Sequence, residues 1–168
     1  FAVQAMVLCP TRELADQVTQ EIRRLARFED NIKVLPLCGG SAMRNQVTSL
    51  ENGVHVVVGT PGRIVDHMER GTIKLDGLQT LVLDEADRML DMGFHDDIAY
   101  VAKRCPKERQ TLLFSATYPE GIEVQSATIE DTKNGQQYRE GAFRVLRNGK
   151  PVKTGKGGTV PFYGESAW

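Results

Sequence analysis

What this 168-residue sequence lacks narrows its class quickly. It holds only three cysteines, Cys9, Cys38 and Cys105, widely spaced and with no CxxC pair. An odd, scattered set argues against a disulfide framework and against a zinc site, and for a reducing compartment, the cytoplasm. No apolar run approaches the length of a membrane span, and no signal-peptide pattern is visible. An excess of one charge is missing too: 21 Lys and Arg face 22 Asp and Glu, a net charge of −1. The chain is therefore not a polycation that gathers nucleic acid by bulk charge, so any such contact must use local groups and backbone amides. There is no initiator Met, and Phe1 opens inside an apolar run, so the sequence reads as a piece of something longer. Internal repeats are not evident.

What is present is an ordinary globular balance, 40% apolar and 26% charged, at a length that suits one domain with a small appendage. Residues 1 to about 122 alternate short apolar runs with amphipathic stretches. The runs are Val3–Cys9, Val34–Cys38, Val54–Val58, Thr80–Leu83 and Thr111–Phe114. Short, continuous, Val- and Leu-rich runs predict the strands of a parallel sheet buried on both faces. Leu14, Val18, Ile22 and Leu25 recur about every four residues, the stripe of an amphipathic helix. Further helices are expected over Ser41–Leu50, Gly62–Glu69 and Asp96–Arg104. Strand and helix in alternation mean an α/β fold with right-handed crossovers.

Residues 123–168 have another texture. Seven of the 16 glycines fall there and the long apolar runs stop. Asn134-Gly135 and Asn148-Gly149 are hairpin signals, because a type I′ turn needs positive φ at both central residues. A β-hairpin extension is expected, with disorder as its competitor.

The sharpest chemical signal is Leu81-Val82-Leu83 followed by Asp84-Glu85-Ala86-Asp87. An apolar strand delivers adjacent carboxylates at its C-terminal end, the edge where open α/β sheets bind ligands. An Asp there suits Mg²⁺ held through water, and a Glu beside it suits an attacking water. The plainer reading is a solvated helix start favoured by the dipole. Ser115-Ala116-Thr117 closes the next strand and offers hydroxyls to that acidic cluster, or else a simple turn or cap. Pro10-Thr11-Arg12-Glu13 follows the first strand and opens a helix, presenting free amides and Arg12 to a phosphate. Thr60-Pro61-Gly62-Arg63 repeats this after the third strand, and Gly39-Gly40 exposes backbone after the second. Taken singly, Thr11 is a cap and each glycine a tight turn.

Taken together, Pro10–Ala15, Gly39-Gly40, Thr60–Arg63, Asp84–Asp87 and Ser115–Thr117 stand in the order and rough spacing of DEAD-box RNA helicases. The string from Asp84 to Phe94 resembles that family almost letter for letter. Arg23–Phe28 and Gln110–Thr117 lean toward its bacterial, DbpA-like type. The resemblance covers about residues 3–122 and implies a RecA-like, P-loop NTPase-type sheet flanked by helices. It implies that Asp84 positions the Mg²⁺ of bound ATP and that Glu85 acts on the hydrolytic water. Asp87 with Ser115 and Thr117 would couple nucleotide to RNA. Pro10, Thr11, Arg12, Glu13, Gly39, Gly40, Thr60, Pro61, Gly62 and Arg63 would grip one RNA strand by its sugar-phosphate backbone, without a base code. A second RecA-like domain would complete the ATP site.

Two departures qualify those expectations. Only nine residues precede Pro10, and they hold neither an adenine-reading motif nor a Gly-rich phosphate loop. Lys153–Thr159 superficially resembles such a loop. However, Gly149 precedes Gly155 by six positions instead of five, and Gly157 stands where a hydroxyl is required. Two functional classes follow: a fragment of an ATP-dependent helicase, inactive by itself, or a non-catalytic RNA- or protein-binding module on a truncated or chimeric scaffold. Without the phosphate-loop strand the sheet is expected to have an open apolar edge at Thr111–Phe114. A tail strand at Ala142–Arg147 would pair with that edge, or the edge would serve self-association between chains.

Overall fold

The computed structural model describes residues 2–116, 122–130, 137–147, 150–151 and 161–163. Five short strands form one parallel sheet: β1 (Ala5–Leu8), β2 (Val34–Leu37), β3 (Val56–Gly59), β4 (Thr80–Leu83) and β5 (Gln110–Leu113). Their order across the sheet is β2-β3-β1-β4-β5. Each neighbouring pair runs in parallel with an unbroken four-residue register, so all five C-terminal ends reach the same border.

The helices are α1 (Arg12–Leu25), α2 (Met43–Glu51), α3 (Pro61–Glu69), α4 (Ala86–Asp91) and α5 (His95–Arg104). Alternation along each strand feeds two cores. Met6, Leu8, Val57, Leu81 and Leu83 join Ile64 of α3, Met89 of α4 and Ile98 and Val101 of α5 on one face. Val7, Cys9, Val34, Cys38 and Val58 join Leu14, Ala15, Val18 and Ile22 of α1 on the other. This double burial explains why the strands read as continuous apolar runs. A sheet covered on both faces leaves its functional groups one place to reach solvent together, the C-terminal border.

Four further strands follow: β6 (Ile122–Glu130), β7 (Gln137–Arg147), β8 (Lys150–Pro151) and β9 (Pro161–Tyr163). β6 and β7 pair antiparallel across Asn134-Gly135, and Arg147 pairs with Lys150 across Asn148-Gly149. The hairpins expected are there. Arg147 and Lys150 leave only Asn148-Gly149 between them, whereas Glu130 pairs with Gln137, so six residues and not a two-residue turn separate β6 from β7. The connecting residues lie outside the described set. The expectation for Ala142–Arg147 is not met. Those residues belong to β7, whose ladders run to β6, β8 and β9, and β5 shares a ladder only with β4 among the described residues. A long hairpin satisfies its own backbone groups locally, and it is β9 that lies beside β5, without a ladder between them. The look-alike segment Lys153–Thr159 lies outside the described residues.

Candidate functional site

Parallel register brings five loops side by side on one border, in the order Gly39-Gly40, Thr60–Arg63, Pro10–Glu13, Asp84–Asp87, Ser115-Ala116. Thr117 lies outside the described residues.

At the end of β1, Thr11 is the N-cap of α1, its hydroxyl accepting from the Leu14 amide at 3.3 Å, with Glu13 in the first turn. The plain capping role is therefore real, and it orients the remaining free amides of α1 outward. Arg12 is half exposed, pairs with Asp16 at 3.6 Å, and lies over Gly40. A Cβ built on Gly40 would sit 2.4 Å from the Arg12 guanidinium, and Gly40 has φ +82°. The left-handed backbone favours glycine there, whereas the Arg12 tip is the end of a flexible side chain that could move aside. Gly39 has open space where a Cβ would stand, so its glycine is not demanded by packing.

At the end of β3, Thr60 is extended and Pro61 occupies the first turn of α3, where a missing amide hydrogen costs nothing. Gly62 has ordinary room, 3.8 Å to the nearest carboxylate oxygen of Asp97. Arg63 is largely enclosed, bonded to neighbouring groups of the fold. Its side chain is 17% exposed and donates to the Ser41 carbonyl at 3.4 Å and to Gln46 Oε1 at 3.1 Å, with Asp66 at 3.9 Å.

At the end of β4, the Asp84 amide donates to the Leu8 carbonyl at 2.9 Å, and its carboxylate accepts from the Glu85 amide at 3.1 Å. Burial raises the Asp84 pKa, and the Glu85 carboxylate raises it further, against the lowering effect of that amide. Burial, reinforced by Asp84, pushes the thiol of Cys9 up to about 12, so it stays protonated. Glu85 has φ 48° and ψ 52°, a left-handed conformation for a non-glycine residue. Such strain costs on the order of 1 kcal/mol and is characteristic of functional positions. Arg88 holds the Glu85 carboxylate at 3.1 Å.

The acidic segment and the hydroxyl segment are joined directly. The Ala86 amide donates to the Phe114 carbonyl at 3.0 Å, and the Asp87 amide to Ser115 Oγ at 3.2 Å. Among the described residues no group of three or more His, Cys, Asp or Glu side chains could hold a metal ion. A half-buried carboxylate at a strand end fits instead a cation that keeps most of its water.

The DEAD/DEAH box helicase profile matches residues 2–125. The chain belongs to the DEAD/DEAH box helicase family. It is 58% identical over 130 residues to ATP-dependent RNA helicase DbpA of Escherichia coli, covering 77% of this chain and 28% of that protein. To ATP-dependent RNA helicase CshA of Listeria monocytogenes it is 55% identical, covering 71% and 23%. Two solved structures share the fold. The crystal structure of a DEAD box protein from Methanococcus jannaschii superposes with TM-score 0.68 at 46% identity, covering 71% of this chain and 32% of that one. That of the yeast DEAD-box splicing factor Prp28 gives 0.66 at 34%, covering 70% and 28%. The RecA-like parallel sheet expected from the sequence is the observed one. The chain spans about a quarter of the length of these curated relatives.

Three side chains were not singled out by the sequence: Arg88 at this border, and Gln46 and His67 buried beneath it. Gln46 and His67 occupy core-facing positions, three or four residues from Leu50 and Ile64. A polar side chain in an apolar stripe was the available signal. Among the described residues no helix is long and apolar enough to cross a membrane.

Proposed function

We propose that this chain is the RNA-facing and Mg²⁺-facing part of the first RecA-like domain of an ATP-dependent RNA helicase. One observation carries the reading: Asp84–Asp87 and Ser115 leave adjacent parallel strands and bond to each other at the border shared with Pro10–Glu13, Gly39-Gly40 and Thr60–Arg63. In this reading Asp84 holds Mg²⁺ through water and Glu85 orients the attacking water. Asp87, Ser115 and Thr117 link that chemistry to the RNA side. The amides and side chains of Pro10, Thr11, Arg12, Glu13, Gly39, Gly40, Thr60, Pro61 and Gly62 meet one RNA strand at its phosphates and sugars. Arg63 serves the same surface. In the longer protein, ATP bound with Mg²⁺ would supply the energy for local duplex opening, together with a second RecA-like domain. Three buried free thiols are in keeping with a reducing, cytoplasmic setting. The domain boundary is placed near residue 122, where the β-rich segment begins.

These 168 residues contain no GxxxxGK[ST] loop, whose amides, Lys and hydroxyl are the main handles on β- and γ-phosphates. That favours a second reading for the chain by itself, a module that binds RNA backbone without turnover. Millimolar Mg-ATP is accordingly expected to leave the melting temperature unchanged, since stabilisation follows the ratio of ligand to Kd. A rise of about 2 °C or more, or RNA-stimulated ATP turnover that Glu85→Gln abolishes, would sink the claim of inactivity.

A further inference from the structure

Beneath the RNA-facing loops lies a polar network inside the hydrophobic core. Gln46 is 4% exposed and His67 fully buried. Gln46 Nε2 donates to the Cys38 carbonyl at 3.0 Å, immediately before Gly39-Gly40. This fixes the amide's orientation, so Oε1 faces Arg63 Nη1 at 3.1 Å and His67 Nε2 at 2.9 Å. The opposite orientation would set two donors against each other. An amide oxygen only accepts, so His67 carries its proton on Nε2. His67 Nδ1 then accepts from Thr72 Oγ1 at 2.8 Å, whose single proton is shared with the His67 carbonyl at 3.1 Å. The network therefore spans the end of β2, α2 and α3, with every polar atom of Gln46 and His67 used. Arg63 extends it to the Ser41 carbonyl, on the far side of the glycine pair.

We infer that Gln46, clamped by His67, is a positioning residue for RNA: it locks the Gly39-Gly40 loop and the start of α3 into one rigid unit, with Arg63 as the internal strut. The inference rests on the RNA reading above. Two facts separate it from ordinary core packing. An apolar side chain would fill either position without the cost of burying polar groups. And the network's bonds end at Cys38 and Ser41, the residues flanking Gly39-Gly40, with Gly40 lying under the half-exposed Arg12. A loop held at both ends loses less conformational freedom when a phosphate backbone docks on it.

The test titrates fluorescein-labelled decauridine with the full chain and compares wild type, Gln46→Leu, Arg12→Ala and the double variant. Val101→Ala, a core change in α5 away from the border, is the control for lost stability. Gln46→Leu is expected to weaken binding about tenfold, and the double variant to lose less than the two singles combined, because the sites share one loop. Val101→Ala is expected to leave Kd within about twofold while lowering the melting temperature. Should Gln46→Leu not fold, Gln46→Glu takes its place. It keeps the acceptor for Arg63 and His67 but sets a carboxylate oxygen against the Cys38 carbonyl in place of the donating amide, and is expected to weaken binding at least about threefold. Wild-type affinity in the Gln46 variant, or an equal loss in Val101→Ala, overturns the positioning role alone. Absence of binding by the wild-type chain overturns the RNA reading with it.

Discussion

Beyond β2 and β3 the sheet border is held from beneath, whereas beyond β4 it is held at arm's length. On the first side Gln46, His67 and Arg63 bond the loops into the core, and Arg63 itself is largely enclosed. On the second side Asp84 is desolvated beside another carboxylate, Glu85 sits in a left-handed backbone, and its partner Arg88 is exposed. The difference is in keeping with the role proposed for each side. A surface that meets a repeating phosphate backbone gains from being preformed, because ordering was completed on folding. A surface that handles a cation and a reacting water keeps charge that the fold would be more stable without.

The sharpest way to break the preformed side is Gly59→Ala, at the end of β3. A Cβ there would lie 2.4 Å from the Leu37 carbonyl oxygen and 3.0 Å from Ile64, with backbone on the near side and no flexible chain to yield. The same carbonyl accepts from the Thr60 amide at 3.3 Å. Urea denaturation is expected to show a loss of about 3 kcal/mol or more, read from the midpoint at unchanged m. A loss under about 1 kcal/mol would mean that β2 and β3 can part without harm and that this side is not rigid.

Gly40→Ala sharpens the same contrast at smaller cost. The obstructing atom is the tip of Arg12, which can swing away, so the penalty comes from the positive φ. About 1 kcal/mol of stability should be lost. Affinity for decauridine should fall with it, because Arg12 is displaced from the loop. Unchanged affinity would remove Arg12 and Gly40 from the RNA surface.

The parallel sheet was legible because burial on both faces writes itself as continuous Val and Leu runs. Thr80–Leu83 coincides with β4, and the other strands differ from their runs by one or two residues at the ends. The gathering of five motifs was equally legible, since parallel strands in neighbouring positions must share one border. α4 was not, because six residues beginning after a left-handed Glu85 carry no usable period. Nor was the enclosure of Arg63. Spacing places a residue on an element but does not choose its rotamer, and its acceptors lie 17 and 22 residues away. Gln46 and His67 escaped for the same reason: a polar letter in an apolar stripe gives no hint of which distant groups will satisfy it.

The smallest expected effect tests the charged side. Asp84 has a folded pKa above the ordinary carboxylate value, chiefly through burial. As pH rises from that ordinary value through the raised one, the unfolded chain holds fewer protons than the folded chain, so stability falls. At neutral pH the ionised Asp84 is therefore a net cost. Asp84→Asn keeps the acceptor for the Glu85 amide and removes the charge. Its melting temperature is expected to exceed wild type by about 2 °C near neutral pH. The two should converge below the ordinary carboxylate value, where Asp84 is protonated in both states. A lower melting temperature at neutral pH would show that a favourable interaction outweighs the desolvation of Asp84. A gap that persists in acid would assign the effect to shape rather than charge. Either result would remove the contrast between a side built for stability and a side whose buried charge comes at stability's expense.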